Sequence, residues 1–381
     1  MSKRVYFDNA ATTPICQDVI AAMLDVMENN YGNPSSIHAE GRKSRALIEE
    51  ARKTIATCIG ASISEVFFTS GGTESNNMVL KCAVRDLGIK HIISTATEHH
   101  CVLHTLAVLQ QEGVKITLLP VDELGHIRLS DLEAALVQSN QKTLVSLMHA
   151  NNEIGTMIDM AAIGAICQQY NALFHSDSVQ TIGHFAIDVS TIPIHFLSGA
   201  AHKFHGPKGV GFVYIRQGAS IKPFIDGGAQ ERNMRGGTEN LYGIVGMAKA
   251  LQLATDQMEE RVQKIVTVRN YMMEKLDTYF EDISFNGDIT GHSLYTVLSV
   301  SFPPSPKGNL LLLNLDIHGI SASGGSACSS GAEGSSHVIQ AIGGDPDRKT
   351  IRFSFSHYNS IADVDYCIER LRLILPTRVI V

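Results

Sequence analysis

An α/β fold built on a mainly parallel sheet is predicted by three observations. Short apolar runs alternate with amphipathic helical stripes over the larger N-terminal part of the chain, which is the pattern of parallel strands joined by crossover helices. Polar clusters directly follow several of those runs: Glu98-His99-His100, Asn151-Asn152-Glu153 and Asp177-Ser178-Val179-Gln180. Ligands of a parallel sheet covered on both faces collect at the carboxyl ends of its strands, so the clusters mark one binding edge. Finally, 381 residues exceed what one small core organises, so a large domain with a smaller companion is expected.

In chain order, Val5 to Phe7 reads as a short strand leading into a polar turn, and Lys43 to Ile59 as a helix. Leu47, Ala51, Ile55 and Ile59 form its stripe, and Gly60 stops it. Val66 to Thr69 is a strand, followed by Ser70-Gly71-Gly72-Thr73-Glu74 and a second helix. A glycine turn between strand and helix turns free N–H groups and the positive end of the helix dipole to one spot, a place for an anion such as phosphate. Further strands are predicted at His91 to Ser94, Lys115 to Leu119, Leu144 to Met148 and Ala172 to His175, with a capping box at Ser130-Asp131-Leu132-Glu133.

The apolar runs Ile192 to Leu197 and Val210 to Ile215 bracket Ser198 to Gly209, where His202, Lys203, His205 and Lys208 converge. A lysine held between buried strands is poorly solvated, which favours its neutral, nucleophilic amine and suits Schiff-base chemistry. The loop from Gly227 to Asn240 carries no strong pattern. A helical region from Tyr242 to Tyr279 contains the expected domain boundary. Beyond it, strands at Thr296 to Ser301 and Thr350 to Phe355 and helices near Leu310 and Ile361 read as a second α/β unit that the N-terminal strand can join.

A net charge of −7 leaves no excess of cations to neutralise phosphates, which argues against nucleic-acid binding. No apolar run is long enough to cross a bilayer and no apolar signal core opens the chain, so a cytoplasmic protein away from membranes is expected. The seven cysteines are scattered without a Cys-x-x-Cys pair, which points to reduced thiols. Cys58, Cys82, Cys101, Cys167 and Cys367 sit among aliphatic residues as small hydrophobes. Cys328, in Gly325-Ser326-Ala327-Cys328-Ser329-Ser330-Gly331, has nothing of that kind beside it.

Six motifs in this order resemble the cysteine desulfurases of the NifS/IscS type, which are pyridoxal-phosphate enzymes of fold type I in the class-V aminotransferase family. They are Asp8 to Pro14, Asn33 to Ser36, Ser70 to Asn77, Asn151 to Thr156, His202 to Gly209 and Gly325 to Gly331. The resemblance implies a large cofactor-binding domain over 15–255 with a mainly parallel sheet. It also implies a smaller C-terminal α/β domain over 256–381 that includes 1–14 and carries the catalytic cysteine.

It further implies that Lys203 holds pyridoxal 5'-phosphate as a Schiff base, that Asp177 pairs with the pyridine nitrogen, and that His99 lies over the ring and moves protons. Asn151 and Gln180 match positions near the ring oxygen or the substrate, and Gly72, Thr73 and His202 match phosphate ligands. Thr238 matches a threonine given by the neighbouring subunit, which implies a homodimer. Arg352 matches the arginine that grips the carboxylate of L-cysteine, and Cys328 the nucleophile that takes its sulfur as a persulfide. The persulfide then goes to an iron-sulfur scaffold or another acceptor. Where close relatives carry a serine two residues before the His-Lys pair, this chain has Ala200, so one hydroxyl on the phosphate is missing.

Other readings fit parts of the pattern. Selenocysteine lyases and aminotransferases share the lysine chemistry without needing Cys328, and a catalytically dead sulfur carrier would not need Lys203, Asp177 and His99 together. His99, His100, Cys101 and His104 could be read as zinc ligands, but their spacing is no zinc signature. No metal of its own is expected, although Cys328 could share a cluster with a scaffold. Arg352 could equally be a structural ion-pair partner.

Overall fold

The computed structural model describes residues 4–305, 310–324 and 336–378. Its central sheet has seven strands in the order Val66–Thr69, Gly211–Ile215, Phe196–Ala200, Leu173–Asp177, Thr143–Ser146, His91–Thr95, Lys115–Leu119. Every pairing among the last five is parallel, and Gly211–Ile215 runs antiparallel to both of its neighbours.

Alternate residues of these strands feed two cores, as a sheet covered on both faces requires. Phe68, Phe212, Leu197, Val145 and Ile93 face one core, built with the helices Gln17–Asn29, Ala39–Cys58, Leu129–Val137, Met160–Gln169 and Leu241–Asp256. Phe67, Val213, Phe196, Leu144 and Ile92 face the other, built with Gly72–Leu87 and His100–Gln111. A third core lies around an antiparallel sheet of Ser284–Asn286, Val297–Phe302 and Lys349–Ser354 and the helices Met258–Tyr279 and Ile361–Ile374. Val5 and Phe7 are buried in it, and Val5–Tyr6 pairs in parallel with Ile320–Ser321.

Several local expectations are corrected. The first long helix starts at Ala39, where the His38 ring accepts from the Gly41 N–H at 3.3 Å. Gly60, at φ +68, ends it where an added Cβ would lie 2.1 Å from Asp188 Oδ1. The capping box at Ser130 does not form: the helix begins at Leu129, and Asp131 takes the Arg128 guanidinium at 2.9 Å instead. The strand before Lys203 extends through Ala200, because Gly199 leaves room for Phe212, whose Cε1 would stand 2.4 Å from a Cβ there.

The patternless loop after Ile225 holds a turn, Gln230–Asn233, in which Glu231, Arg232 and Asn233 have φ of 45°, 55° and 64°. Buried Glu231 fixes it by accepting from Arg52 Nη1 at 2.7 Å and Nη2 at 2.9 Å and from the Phe68 N–H at 2.7 Å. The helical region breaks at Gln257, whose side chain accepts from Arg261 at 2.9 Å. Among the described residues no helix is long and apolar enough to cross a membrane.

Candidate active site

The carboxyl ends of the parallel strands deliver the site. Leu173–Asp177 ends on Asp177, and the adjacent strand Phe196–Ala200 runs into one tight turn, Ala201–Lys203, that ends on Lys203. The N-terminal segment crosses above them. Thr13 pins it by donating its N–H and its hydroxyl to the His202 carbonyl, each at 2.9 Å. Lys203 Nζ donates to the carbonyls of Ala10 and, at 2.9 Å, Ala11, while Gln180 Nε2 donates to the same Ala10 oxygen at 3.0 Å. From behind, the His184 ring donates to the Lys203 carbonyl at 3.1 Å.

Ala10, Ala11, Gln180 and Lys203 border a cavity of about 250 Å³. Gly72, Thr73, His99, Asp177, Gln180, Ala200, His202, Lys203 and Arg352 all line it. Gly72 opens the helix Gly72–Leu87, and an added Cβ there would stand 2.6 Å from Val179 Cγ2, so glycine alone keeps this N-terminal turn open. Its N–H groups and dipole suit a phosphate. The set of a lysine amine, a buried carboxylate, a histidine and a helix N-terminus around one cavity fits the chemical groups of pyridoxal phosphate.

Electrostatics sort the protonation states. Asp177 accepts from Asn76 Nδ2 at 2.6 Å and from the Val179 N–H at 3.0 Å. Burial, with the Lys203 and Lys208 charges, pushes His202 down to about 4, so its ring is neutral. Burial also lowers His99; the Asp177 charge opposes this, and Lys203, His337 and His104 add to it. Glu98 behind His99 is raised well above the usual carboxylate range by burial, against the Met148 N–H bond at 2.7 Å, with the Asp177 charge raising it further.

Other expected residues stand differently. Asn151 does not line the cavity: its Nδ2 donates to the Thr97 carbonyl at 2.8 Å, and its Oδ1 accepts from the Glu153 and Ile154 N–H groups at 2.8 and 3.1 Å. The turn it holds presents Asn152 and Glu153 instead. Arg352 is 1% exposed and already engaged, with Nη1 on the Asn152 carbonyl at 2.9 Å and Nη2 on Asp8 Oδ1 at 3.0 Å. Thr238 is exposed and lines a separate hollow of about 170 Å³ with Ser70 and Gly209. Ser198 is turned to His175, 3.3 Å from its Nε2, and is not a cavity wall. Cys328 lies outside the described residues.

Sequence reasoning gave no site role to several of the walls, Asn76, Cys101, Asn152 and His337 among them. Asn76 sits inside the Ser70 to Asn77 motif that carries the resemblance but had no role of its own there, and Cys101 was expected to be packing material. Asn152 and His337 gave no separable signal. His337 donates to the Glu98 carbonyl at 3.0 Å, and its ring lies 4.5 Å from that of His100, tilted by 43°; His100 in turn lies 5.3 Å from His104. Among the described residues no three His, Cys, Asp or Glu side chains are grouped to hold a metal ion.

Residues 5–367 match the family described as aminotransferase class-V. The chain is 43% identical to cysteine desulfurase IscS of Dictyoglomus turgidum, over 99% of this chain and 97% of that protein. It is 44% identical to cysteine desulfurase IscS of Methanosarcina thermophila, over 97% and 91%. A solved NifS-like protein superposes with a TM-score of 0.90 at 37% identity, covering 98% of this chain and 99% of that one. A structure described as SspA in complex with cysteine gives 0.81 at 31%, covering 94% and 100%. The chain therefore belongs to the class-V aminotransferase family and, within it, to the cysteine desulfurases of the NifS/IscS type.

Proposed function

We propose that this chain removes sulfur from L-cysteine, giving L-alanine and a persulfide on Cys328 that passes to an acceptor for iron-sulfur or other thio-cofactor assembly. The observation that carries this is the convergence of Lys203, Asp177, His99 and the Gly72–Thr73 helix start on one cavity. Pyridoxal phosphate, when bound, supplies an electron sink for charge developing at the substrate Cα. Lys203 holds it and moves the Cα proton; Asp177 keeps the ring nitrogen protonated; Gly72, Thr73 and His202 hold the phosphate.

Gln180 and Lys203 share the Ala10 carbonyl, through which Gln180 orients the lysine, and the Gln180 amide would face the ring oxygen or the substrate. Asn151 acts through the turn that presents Asn152 and Glu153. Asp8 and Asn152 pre-aim the Arg352 fork, and the substrate carboxylate takes over the position that Asp8 holds at Nη2. The Cβ–S bond of the substrate breaks as the Cys328 sulfur supplies the pair for the new S–S bond; the Cβ–S pair stays on Cβ, which takes up the proton the Cys328 thiol gives up, so alanine and the persulfide form with no outside oxidant. Exposed Thr238, away from its own chain's Lys203 cavity, serves the cavity of a second copy, which makes the active form a homodimer. Residues 15–255 form the cofactor-binding domain, and 1–14 with 256–381 the smaller one. The compartment is the cytoplasm.

Cys328→Ser tests this directly. That variant retains cofactor and binds L-cysteine, since neither step uses the thiol, but releases no alanine at an appreciable rate. Lys203→Ala loses both the visible absorption of the bound cofactor and all turnover. Wild-type alanine release from either variant refutes the assignment.

A further inference from the structure

The cavity contains a thiol to which the reaction gives no part. Cys101 is the second residue of the helix His100–Gln111, and its backbone N–H donates to His99 Nδ1 at 3.2 Å. Its Sγ lies 3.0 Å from the same nitrogen. On its other side Asn76 Nδ2 donates to Sγ at 3.3 Å, and the same amide nitrogen donates to Asp177 Oδ2 at 2.6 Å. The two amide hydrogens are thus divided between the carboxylate and the sulfur. The Thr73 hydroxyl also reaches the sulfur; a thiol that accepts from Asn76 and Thr73 and keeps its own proton has Nδ1 as the acceptor for its S–H.

We propose that Cys101 is a positioning residue that fixes the tautomer of His99: its thiol and its backbone N–H both donate to Nδ1, leaving the ring proton on Nε2. A neutral imidazole that accepts at one nitrogen is a donor at the other. His99 then works towards the cavity as a proton donor, which leaves base duty to Lys203. Asn76 and Cys101 also link Asp177 to His99, so the two groups expected at the edge and over the face of the cofactor ring are set by one chain of bonds.

The thiol is suited to this and poorly suited to sulfur chemistry. Burial, aided by the Asp177 charge, pushes it up to about 12, so it remains S–H at neutral pH, and the thiol is the weaker nucleophile. The charged and titratable groups around His99 are Asp177, Lys203, Glu98, His100, His104 and His337. The hydrogen bonds at Nδ1 come from the Cys101 thiol and backbone N–H.

The test uses the full chain, cofactor-loaded and cofactor-free, with ¹⁵N-labelled histidine rings and the His99→Gln spectrum to assign the signal. Wild type shows His99 with its proton on Nε2. In Cys101→Ala the loss of one neutral donor shifts the tautomer ratio about three- to tenfold and strengthens proton binding by the ring by the same factor, about half to one pH unit, since the lost bond favoured the neutral form. Cys101→Ser, which restores a donor, returns both towards wild type. The acid limb of kcat for alanine release moves with the ring in Cys101→Ala. Only this kinetic arm rests on the desulfurase reading, so its failure is distinguishable from a failure of the tautomer assignment. A Cys101→Ala spectrum and titration identical to wild type, or a serine variant as disturbed as the alanine one, overturns the proposal.

Discussion

The buried pair Arg52–Glu231 supports the loop that leads to Thr238, and Glu231→Gln removes its charge without changing its shape. Both side chains are 2% exposed. Burial works against the Arg52 charge, but the Glu231 bonds and charge more than restore it, so the cation persists in the interior. Arg52 also donates to the Val66 carbonyl at 2.8 Å and lies 4.6 Å over the Phe68 ring, so it cannot swing out to water without opening the core. The variant leaves the buried Nη groups with neutral acceptors only, the remaining carboxylate being half-exposed Glu49 at 3.2 Å from Nε, and sets an amide N–H against N–H groups. Removing one partner of such a pair costs about 3–5 kcal/mol.

Part returns if the turn relaxes, because three successive left-handed residues cost on the order of 1 kcal/mol each. The expected net loss is about 3 kcal/mol, a large share of a typical total of about 5–15. Urea unfolding followed by circular dichroism measures it. The double variant Arg52→Met, Glu231→Leu is expected to recover most of the loss, because an apolar pair strands no charge. A glutamine variant within about 1 kcal/mol of wild type, or a double variant less stable than the single one, refutes the reasoning.

Two further outcomes follow from the site and its surroundings. Ala200→Ser adds a hydroxyl to the cavity wall beside Gly72, a place Ser198 does not serve, and should tighten pyridoxal-phosphate binding about tenfold, with the chemical step nearly unchanged; equal dissociation constants by equilibrium dialysis defeat it. Burial holds His149, His184 and His205 at about 4 and His175 at about 3, below their ordinary 6.5. Their contribution to stability is fully present above pH 6.5 and is lost as pH falls from there towards 4, because the unfolded chain binds their protons. Glu98, protonated when folded, acts in the opposite sense. With His202 at about 4 and His357 at about 3 held down in the same way, unfolding at pH 5 should take up about five protons net, and a flat stability between pH 7 and pH 5 in denaturant titrations contradicts this.

The sheet was legible because its strands alternate with helical stripes and are bounded by glycine and polar turns. Val66–Thr69 and Lys115–Leu119 stand as predicted. Lys203, Asp177, Gln180, His99 and the Gly72 turn were readable through a resemblance carried by motifs, and each lines the cavity. Partnerships across the chain were not legible. The engagement of Asn151 with Thr97 and that of Arg352 with Asp8 depend on which loops the fold sets side by side. Cys101 in a run of aliphatic residues carries the same local signal whether it packs in a core or meets a histidine. The turn at Glu231 was hidden because its left-handed backbone is imposed by a buried arginine far earlier in sequence.

The N-terminal segment over Lys203 has a consequence for biogenesis. Ala10 and Ala11 meet a lysine 193 and 192 residues later, and Asn9 is tied to the Ser354 carbonyl, 345 residues away. Contacts of such separation close late, since the loop between them must be ordered first. A ribosome that has released the whole parallel sheet, with the His202 carbonyl that takes Thr13, still holds back Ser354, and with it the second anchor of the segment that carries the carbonyls for Lys203. The nascent chain is therefore kept from completing its reactive centre until synthesis is nearly over, so a stalled fragment has the scaffold without a finished seat for the amine.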